Sequence, residues 1–470
     1  MVFVKGRLNI MMFLQYAVWG FWLPILARFL QAPIADGGLA FTPAQVAWIL
    51  GLAGSVGAVT APFLAGQLAD RYFSTQKFLA VLLLVGGAIK WYTAYQTTFT
   101  SWLVLSVLYS IVYQPTIALT NSLAFSHLSD AKKEFPFVRV WGTFGWIAAS
   151  WIFPMVWLQT DLKFQSMPPF IAGDEVADVT NRLVDALKFS GGLSIIYAAF
   201  CFLLPNTPPK RDGVEPLAFK KAFALLRHPS FFMLVVASLP IAVVHQIYFV
   251  QTGPFFSEVL GIQDSYIGPA MTIGQFAEIL VMAALGFMLK KWGFRFTITL
   301  GCLAYVVRYA IFGTESLPVE FIIASQALHG VCFACFFAAA FIYVDRIAET
   351  DVRHSAQTVF GIIILGVGPV LSAPFLGYLA SSYTETTIET TNGTVLVGKA
   401  VDGTDGSVAV INLEGESTEV SPDRISERTD VLNYSLLWYT LSVVALVTTI
   451  IFWLFFRDET QDEPTAAQDS

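Results

Sequence analysis

Apolar runs of about twenty residues, the length a helix needs to cross a bilayer, recur along nearly the whole chain with short polar or basic interruptions. Taken in order they predict twelve spans. The first six are about Leu8–Leu30, Thr42–Leu68, Phe78–Tyr95, Trp102–Phe125, Val140–Trp157 and Gly191–Leu204. The second six are about Phe231–Val250, Tyr266–Leu289, Phe296–Phe312, Val319–Val344, Gln357–Ala380 and Tyr434–Phe456. The pattern breaks at Pro205–Pro229, which is rich in Pro and carries Lys210, Arg211, Lys220, Lys221 and Arg227. It reads as a cytoplasmic linker, with a short amphipathic helix around Pro216–Leu226. The expected class is an all-α integral membrane protein of two six-helix bundles, residues 1–205 and 230–456, joined by a linker at 206–229. Lys5 and Arg7 lead into the first apolar run with no small-residue cleavage site behind it, so this run reads as a membrane helix and not a removed signal.

Two outer segments are long. Gln159–Lys188 has room for a short helix near Glu175–Leu187. Residues 382–433 are Thr- and Gly-rich, and the turn pairs Asn392-Gly393, Asp402-Gly403 and Asp405-Gly406 flank alternating runs at Thr394–Val401 and Ser407–Leu413. That pattern predicts a small β-hairpin outside the membrane. Asn392-Gly393-Thr394 fits a glycosylation sequon and a hairpin turn equally well. Residues 457–470 read as an acidic, disordered cytoplasmic tail.

Composition agrees with the class. The chain is 56% hydrophobic and 13% charged, with 41 Phe, and a soluble protein of this length needs a more charged surface. With the amino terminus inside, the cytoplasmic segments collect most of the Lys and Arg, including Arg71, Lys77, Lys132, Lys133, Lys290, Lys291, Arg295 and Arg346. This asymmetry predicts that both termini are cytoplasmic. The net charge of −7 says little about partners, because the acidic surplus sits in the outer loops and the tail. Cys201, Cys302, Cys332 and Cys335 all lie in apolar segments, where packing explains them better than redox or metal chemistry.

Polar groups inside the spans mark a candidate transport path, since a carboxylate at the centre of a membrane helix costs roughly 2.5–3.5 kcal/mol on insertion scales. Candidates are Gln15, Gln114, Thr116, Asn121, Arg139, Thr143, His245, Gln246, Gln275, Glu278, Arg308 and His329. Glu278 is the carboxylate placed well inside a span of the second half, one turn from Gln275. Its alternative is a buried carboxyl bonded to a neighbouring helix. Arg139, Thr143 and Trp146 follow at steps of four and three, so they share a face. Either they line a polar cavity, or Arg139 snorkels at the helix mouth with Trp141 as an interfacial belt residue. His245 and His329 serve equally as packing residues or ligands. Arg308 reads as snorkelling or a structural ion pair, and Lys90 as interfacial.

The junction of spans 2 and 3 reads Gly66-Gln67-Leu68-Ala69-Asp70-Arg71. It resembles the loop signature of the major facilitator superfamily, and the weaker Gly286–Lys291 stretch stands at the same place in the second half. The opening Arg7-Leu8-x-Ile10, Phe13-Leu14-Gln15-Tyr16, Trp19-Gly20-x-Trp22-Leu23 is similar to one branch of that superfamily, the bacterial nucleoside:proton symporters. So are Phe135-Pro136-x-x-Arg139-x-Trp141-Gly142-Thr143-x-Gly145, Pro115-Thr116 with Asn121, Gln275-x-x-Glu278, Arg308-Tyr309-Ala310 and Gly330-x-x-Phe333.

The resemblance implies the major facilitator fold, and a secondary active importer of purine and pyrimidine nucleosides driven by proton symport and alternating access. It implies a substrate site of Arg139, Thr143, Trp146, Gln246, Phe249, Gln275, Glu278, His329 and Phe333. Glu278 would be the proton-coupling group, and Gly66, Asp70 and Arg71 a gating latch. Phe249 stands where the family often has Asn, His329 where it has Tyr, and Ala334 where it has Asp. Those departures leave base preference open and remove one candidate proton carrier. The further expectations are a multi-pass monomer in the lipid of the bacterial inner membrane, with no cofactor besides the proton, no metal and no nucleic-acid partner. A carrier of another small polar solute such as a sugar, or a drug exporter, is the alternative. No nucleophile motif, His–carboxylate cluster or phosphate loop points to an enzyme.

Overall fold

The computed structural model describes residues 2–63, 73–166, 170–208, 225–348, 353–403, 407–411 and 416–458. Gly66, Asp70, Arg71, most of the linker helix expected at Pro216–Leu226 and most of the tail lie outside the described residues.

The first half runs through α1 (Val2–Gly20), α2 (Leu23–Gln31), α3 (Pro43–Phe63), α4 (Thr75–Thr93), α5 (Phe99–His127) and α6 (Ala131–Phe153). A hairpin of β1 (Gln159–Phe164) and β2 (Ile171–Glu175), the short α7 (Val179–Arg182) and α8 (Asp185–Phe200) complete it. In the second half come α9 (Pro229–Glu258), α10 (Asp264–Gly313), α11 (Val319–Ile347) and α12 (Ala356–Tyr383). Five strands follow, β3 (Thr384–Thr390), β4 (Val395–Asp402), β5 (Val408–Ile411), β6 (Ser417–Val420) and β7 (Ile425–Leu432), and α13 (Tyr434–Phe455) closes the half.

Among the described residues, nine helices are long and apolar enough to cross a membrane. One of them, α10, is two helices merged across a kink at Gly293, whose φ of 75° and ψ of 176° suit glycine alone. Helices α4 and α6 fall outside that set, because Lys77 and Lys90 dilute the first and Gly, Thr and Trp the second.

Several boundaries differ from the sequence reading. The fifth run begins at Ala131 and not Val140, with Asp130 capping Lys133 N. Arg139 therefore sits two turns from the start of the helix. The first run breaks between Gly20 and Leu23. The segment 159–188 holds the short helix expected near Glu175–Leu187, α7 at Val179–Arg182, but the β1–β2 hairpin precedes it and α8 starts at Asp185. The loop at 382–433 is larger than the expected hairpin. β4 and β5 pair antiparallel inside a five-stranded sheet of order β6-β5-β4-β3-β7 around Ile388, Val408, Val410 and Val420. Alternation in β3 was hidden because two of its three buried positions, Thr386 and Thr390, are polar.

Helices in lipid gain little from apolar burial against one another, so close approach through small residues carries the packing. A Cβ on Gly145 would lie 2.0 Å from the Phe13 carbonyl oxygen, which seats α6 on α1. A Cβ on Gly330 would lie 2.3 Å from the Glu278 nitrogen, which seats α11 on α10 at the level of the membrane carboxylate. Gly145→Val is expected to cost about 1–3 kcal/mol through overpacking, read as a lower midpoint in thermal unfolding of the detergent-solubilised protein. An unchanged midpoint would mean that the α1–α6 contact yields without cost.

Candidate functional site

The halves are bonded to each other midway along α3 and α12, where Ser55 donates to the Gly366 carbonyl, and most densely at one end. There Arg28 Nε of α2 donates to Asp264 Oδ1 at 3.0 Å, and Arg28 also approaches Glu258 at 3.4 Å. Tyr434 OH donates to the other Glu258 oxygen at 3.2 Å, and Thr180 to Asp264 at 3.4 Å. Gln251 donates to Gln31 at 3.0 Å, Gln159 to Ser265 at 2.9 Å and Trp151 to Thr272 at 2.8 Å. At the other end the hydrogen bonds between described residues stay within a half. Lys5 pairs with Glu134 at 2.7 Å and Gln76 donates to Asn206 at 2.6 Å in the first, and Gln357 donates to Asp345 at 2.8 Å in the second.

Between these two ends, half-buried polar side chains are contributed by both halves. From α6 come Arg139, Thr143 and Trp146, all half-buried. The Arg139 guanidinium lies 4.0 Å from the centroid of the Tyr16 ring, over the space that Gly142 leaves. The Trp146 ring meets Trp19 edge-on at 5.7 Å. Trp141, on the opposite side of α6, is exposed, as a lipid-facing residue is. From the second half come Gln246 and Phe249 of α9, Gln275 and Glu278 of α10 and Phe333 of α11, all half-buried. Gln275 Oε1 is buried without a hydrogen-bond partner. Glu278 forms no ion pair among the described residues, and Arg139, from the opposite half, is the charge that acts on its carboxyl. A cation from one half thus acts on a carboxylate of the other, one turn from a buried, unpaired amide oxygen. A polyhydroxylated ligand held between the halves can bond the guanidinium and the carboxylate.

Other predicted candidates are placed differently. Gln15 Nε2 donates to Thr116 Oγ1 at 2.7 Å inside the first half, while Gln15 Oε1 is buried without a partner. His329 is buried, with its Nδ1 3.0 Å from Arg308 Nη1, so it stands behind the cleft and not on its wall. Arg308 does not snorkel, and it forms no ion pair among the described residues. It is fully buried, donates to His329 and Gln326, and lies 3.8 Å from the Tyr248 ring centroid. Lys90 is likewise buried and not interfacial, its Nζ 3.4 Å from the Trp22 centroid and 4.2 Å from that of Tyr109. Aromatic faces substitute here for carboxylates, because a ring quadrupole attracts a desolvated cation. Sequence reasoning missed Arg28, Asp264 and Glu258. Their signal was an arginine inside the first apolar run and two acids flanking the junction before Tyr266.

Residues 2–415 match the family model described as nucleoside H+ symporter. The chain belongs to that family. YegT of Escherichia coli is 32% identical over 373 residues, covering 78% of this chain and 82% of YegT. The nucleoside permease NupG of Escherichia coli is 26% identical over 403 residues, covering 81% of this chain and 89% of NupG. A crystal structure of the nucleoside transporter NupG superposes with a TM-score of 0.72 at 20% identity, over 97% of this chain and 99% of that one. A D-xylose–proton symporter structure superposes at 0.65 with 10% identity, over 97% and 98%. These structural likenesses show the transporter fold. The protein is accordingly a multi-pass membrane transporter for nucleosides coupled to protons, and not an enzyme.

Proposed function

We propose that this chain imports purine and pyrimidine nucleosides with protons by rocking two six-helix bundles, residues 1–205 and 230–456, about a site between them. The observation that carries the reading is the juxtaposition of Arg139 with Gln275 and Glu278 across the halves, on a chain of the nucleoside H+ symporter family. Arg139, Thr143 and Trp146 contact the nucleoside from one side, and Gln246, Phe249, Gln275, Glu278 and Phe333 from the other. Ribose hydroxyls both donate and accept, which suits Gln and Glu, and a planar base suits the faces of Trp146 and Phe333. His329 supports this wall from behind.

Twelve spans follow when α1 with α2 counts as one, α10 as two, and α4 and α6 as membrane helices despite their polar content. With both termini in the cytoplasm of a bacterial inner membrane, the bonded end faces outward and the cleft opens inward. The five-stranded sheet then stands on the outer face. The working unit is a monomer in lipid that uses no cofactor besides the coupling proton.

Arg139→Ala tests the site. Losing charge-assisted hydrogen bonds of about 1.5–3 kcal/mol should weaken uridine and adenosine binding by roughly ten- to a hundredfold, read by calorimetry on the purified protein. Unchanged affinity for both would remove Arg139 from the site. A sugar carrier is the competing reading, and a panel in which sugars outcompete nucleosides for uptake would favour it.

A further inference from the structure

His245 lies one turn before Phe249 on α9 and is half-buried. Its ring is fixed on every side. It stacks on His329 at 5.5 Å and 14°, and meets Phe249 at 5.2 Å and Phe337 at 4.9 Å edge-on. Its Nδ1 lies 2.7 Å from the hydroxyl of Tyr305, a fully buried residue.

These contacts set the tautomers. Arg308 can only donate, so His329 Nδ1 accepts and the hydrogen of that ring sits on Nε2. For His245 the deciding group is the Tyr305 hydroxyl. If His245 Nδ1 carried the hydrogen, the Tyr305 proton would be left buried without an acceptor, a costly arrangement. Tyr305 therefore donates to Nδ1, and His245 carries its hydrogen on Nε2. That atom has no partner among the described residues, and it is not one of the buried polar atoms left unpaired, so it keeps accessible surface on the side of α9 that carries Phe249.

We propose that His245 is a specificity-determining residue that donates its Nε2 hydrogen to a keto oxygen on the base, with Tyr305 as the positioning residue that holds the tautomer. The proposal rests on the nucleoside reading above and names a class within it. Arg139, Gln275 and Glu278 suit the sugar, so the aromatic pocket around His245 receives the edge of the base remote from the sugar. That edge carries a keto oxygen in uridine and inosine, and an amino group in cytidine and adenosine. A fixed donor pairs with the first and faces another donor in the second. Neither the pocket nor the stacked pair offers the amino group an acceptor.

The test is uptake of uridine and cytidine, with inosine and adenosine as a second pair, by the full-length protein in proteoliposomes. The unmodified protein should prefer the keto member of each pair by about tenfold in KM, the worth of one neutral hydrogen bond. His245→Phe should raise the KM for uridine about tenfold more than that for cytidine. His245→Gln, which keeps a donor near the Nε2 position, should restore part of the difference. Tyr305→Phe frees the tautomer and should narrow the same ratio, and it decides the matter if His245→Phe does not fold. Equal effects on both members of a pair, or no base preference in the unmodified protein, would overturn the role of His245 while leaving nucleoside transport intact. Absence of transport of any nucleoside would instead overturn the nucleoside reading, and this assignment with it.

Discussion

Glu278→Gln is expected to abolish proton-driven accumulation of nucleoside while leaving exchange of nucleoside across the membrane in place. The carboxylate sits half-buried in α10 beside Gln275, within the field of Arg139 and with no ion pair of its own among the described residues. Proton loading changes its charge, and hence its attraction to Arg139 on the opposite half. An interaction that differs between protonation states biases the movement of the two halves. Glutamine keeps the shape and much of the hydrogen bonding but cannot change charge. Uptake driven by an acid exterior should therefore fall to the level reached by equilibration, a loss of the whole concentrative component. Equilibrium exchange should persist with KM altered by less than about tenfold, since one charged hydrogen bond becomes a neutral one. Full pH-gradient-driven accumulation by the variant would transfer coupling to another group.

The second large effect belongs to the bonded end. Arg28 and Asp264 are both nearly buried and lie on different halves, with Glu258 and Tyr434 completing the cluster. Removing one partner leaves a buried charge uncompensated, at a cost of about 3–5 kcal/mol. Opening this end hydrates the orphaned Asp264 and relieves that cost. Arg28→Ala should therefore shift the equilibrium toward the state open at this end by about two to three and a half powers of ten. Gln251 is fully buried there and bonded to Gln31. A Gln251→Cys reporter should thus react with an impermeant maleimide at least about tenfold faster when Arg28 is Ala. Reversing the pair, as Arg28→Asp with Asp264→Arg, should slow it again. An unchanged labelling rate in Arg28→Ala would show that the other interhalf bonds suffice to hold this end.

Much of this arrangement was legible in the sequence, and the reasons are specific. Membrane helices announce themselves by length and apolarity, because lipid offers no partner for an unpaired backbone. The face shared by Arg139, Thr143 and Trp146 and the pair Gln275 and Glu278 follow from helical spacing, so they survive boundary errors of several residues. The depth of Arg139 did not survive such an error. Lys132, Lys133 and Glu134 read as pre-helical, yet Asp130 caps a helix that includes them.

The setting of a charge was the least legible property. In the sequence Lys90 reads as interfacial, and Arg308 as snorkelling or a structural ion pair. Their partners are rings brought in from other helices, Trp22 and Tyr109 in one case and Tyr248 in the other. The Arg28 cluster joins residues more than two hundred positions apart. No local pattern carries such a contact.

The most direct test of proton-coupled nucleoside import is counting transport into proteoliposomes of defined lumen pH with radiolabelled uridine. An acid exterior should drive uridine inside above its external concentration, alkalinise the medium as protons enter, and do neither when the gradient is collapsed by an ionophore. Uridine that only equilibrates, with no dependence on the gradient, would contradict it.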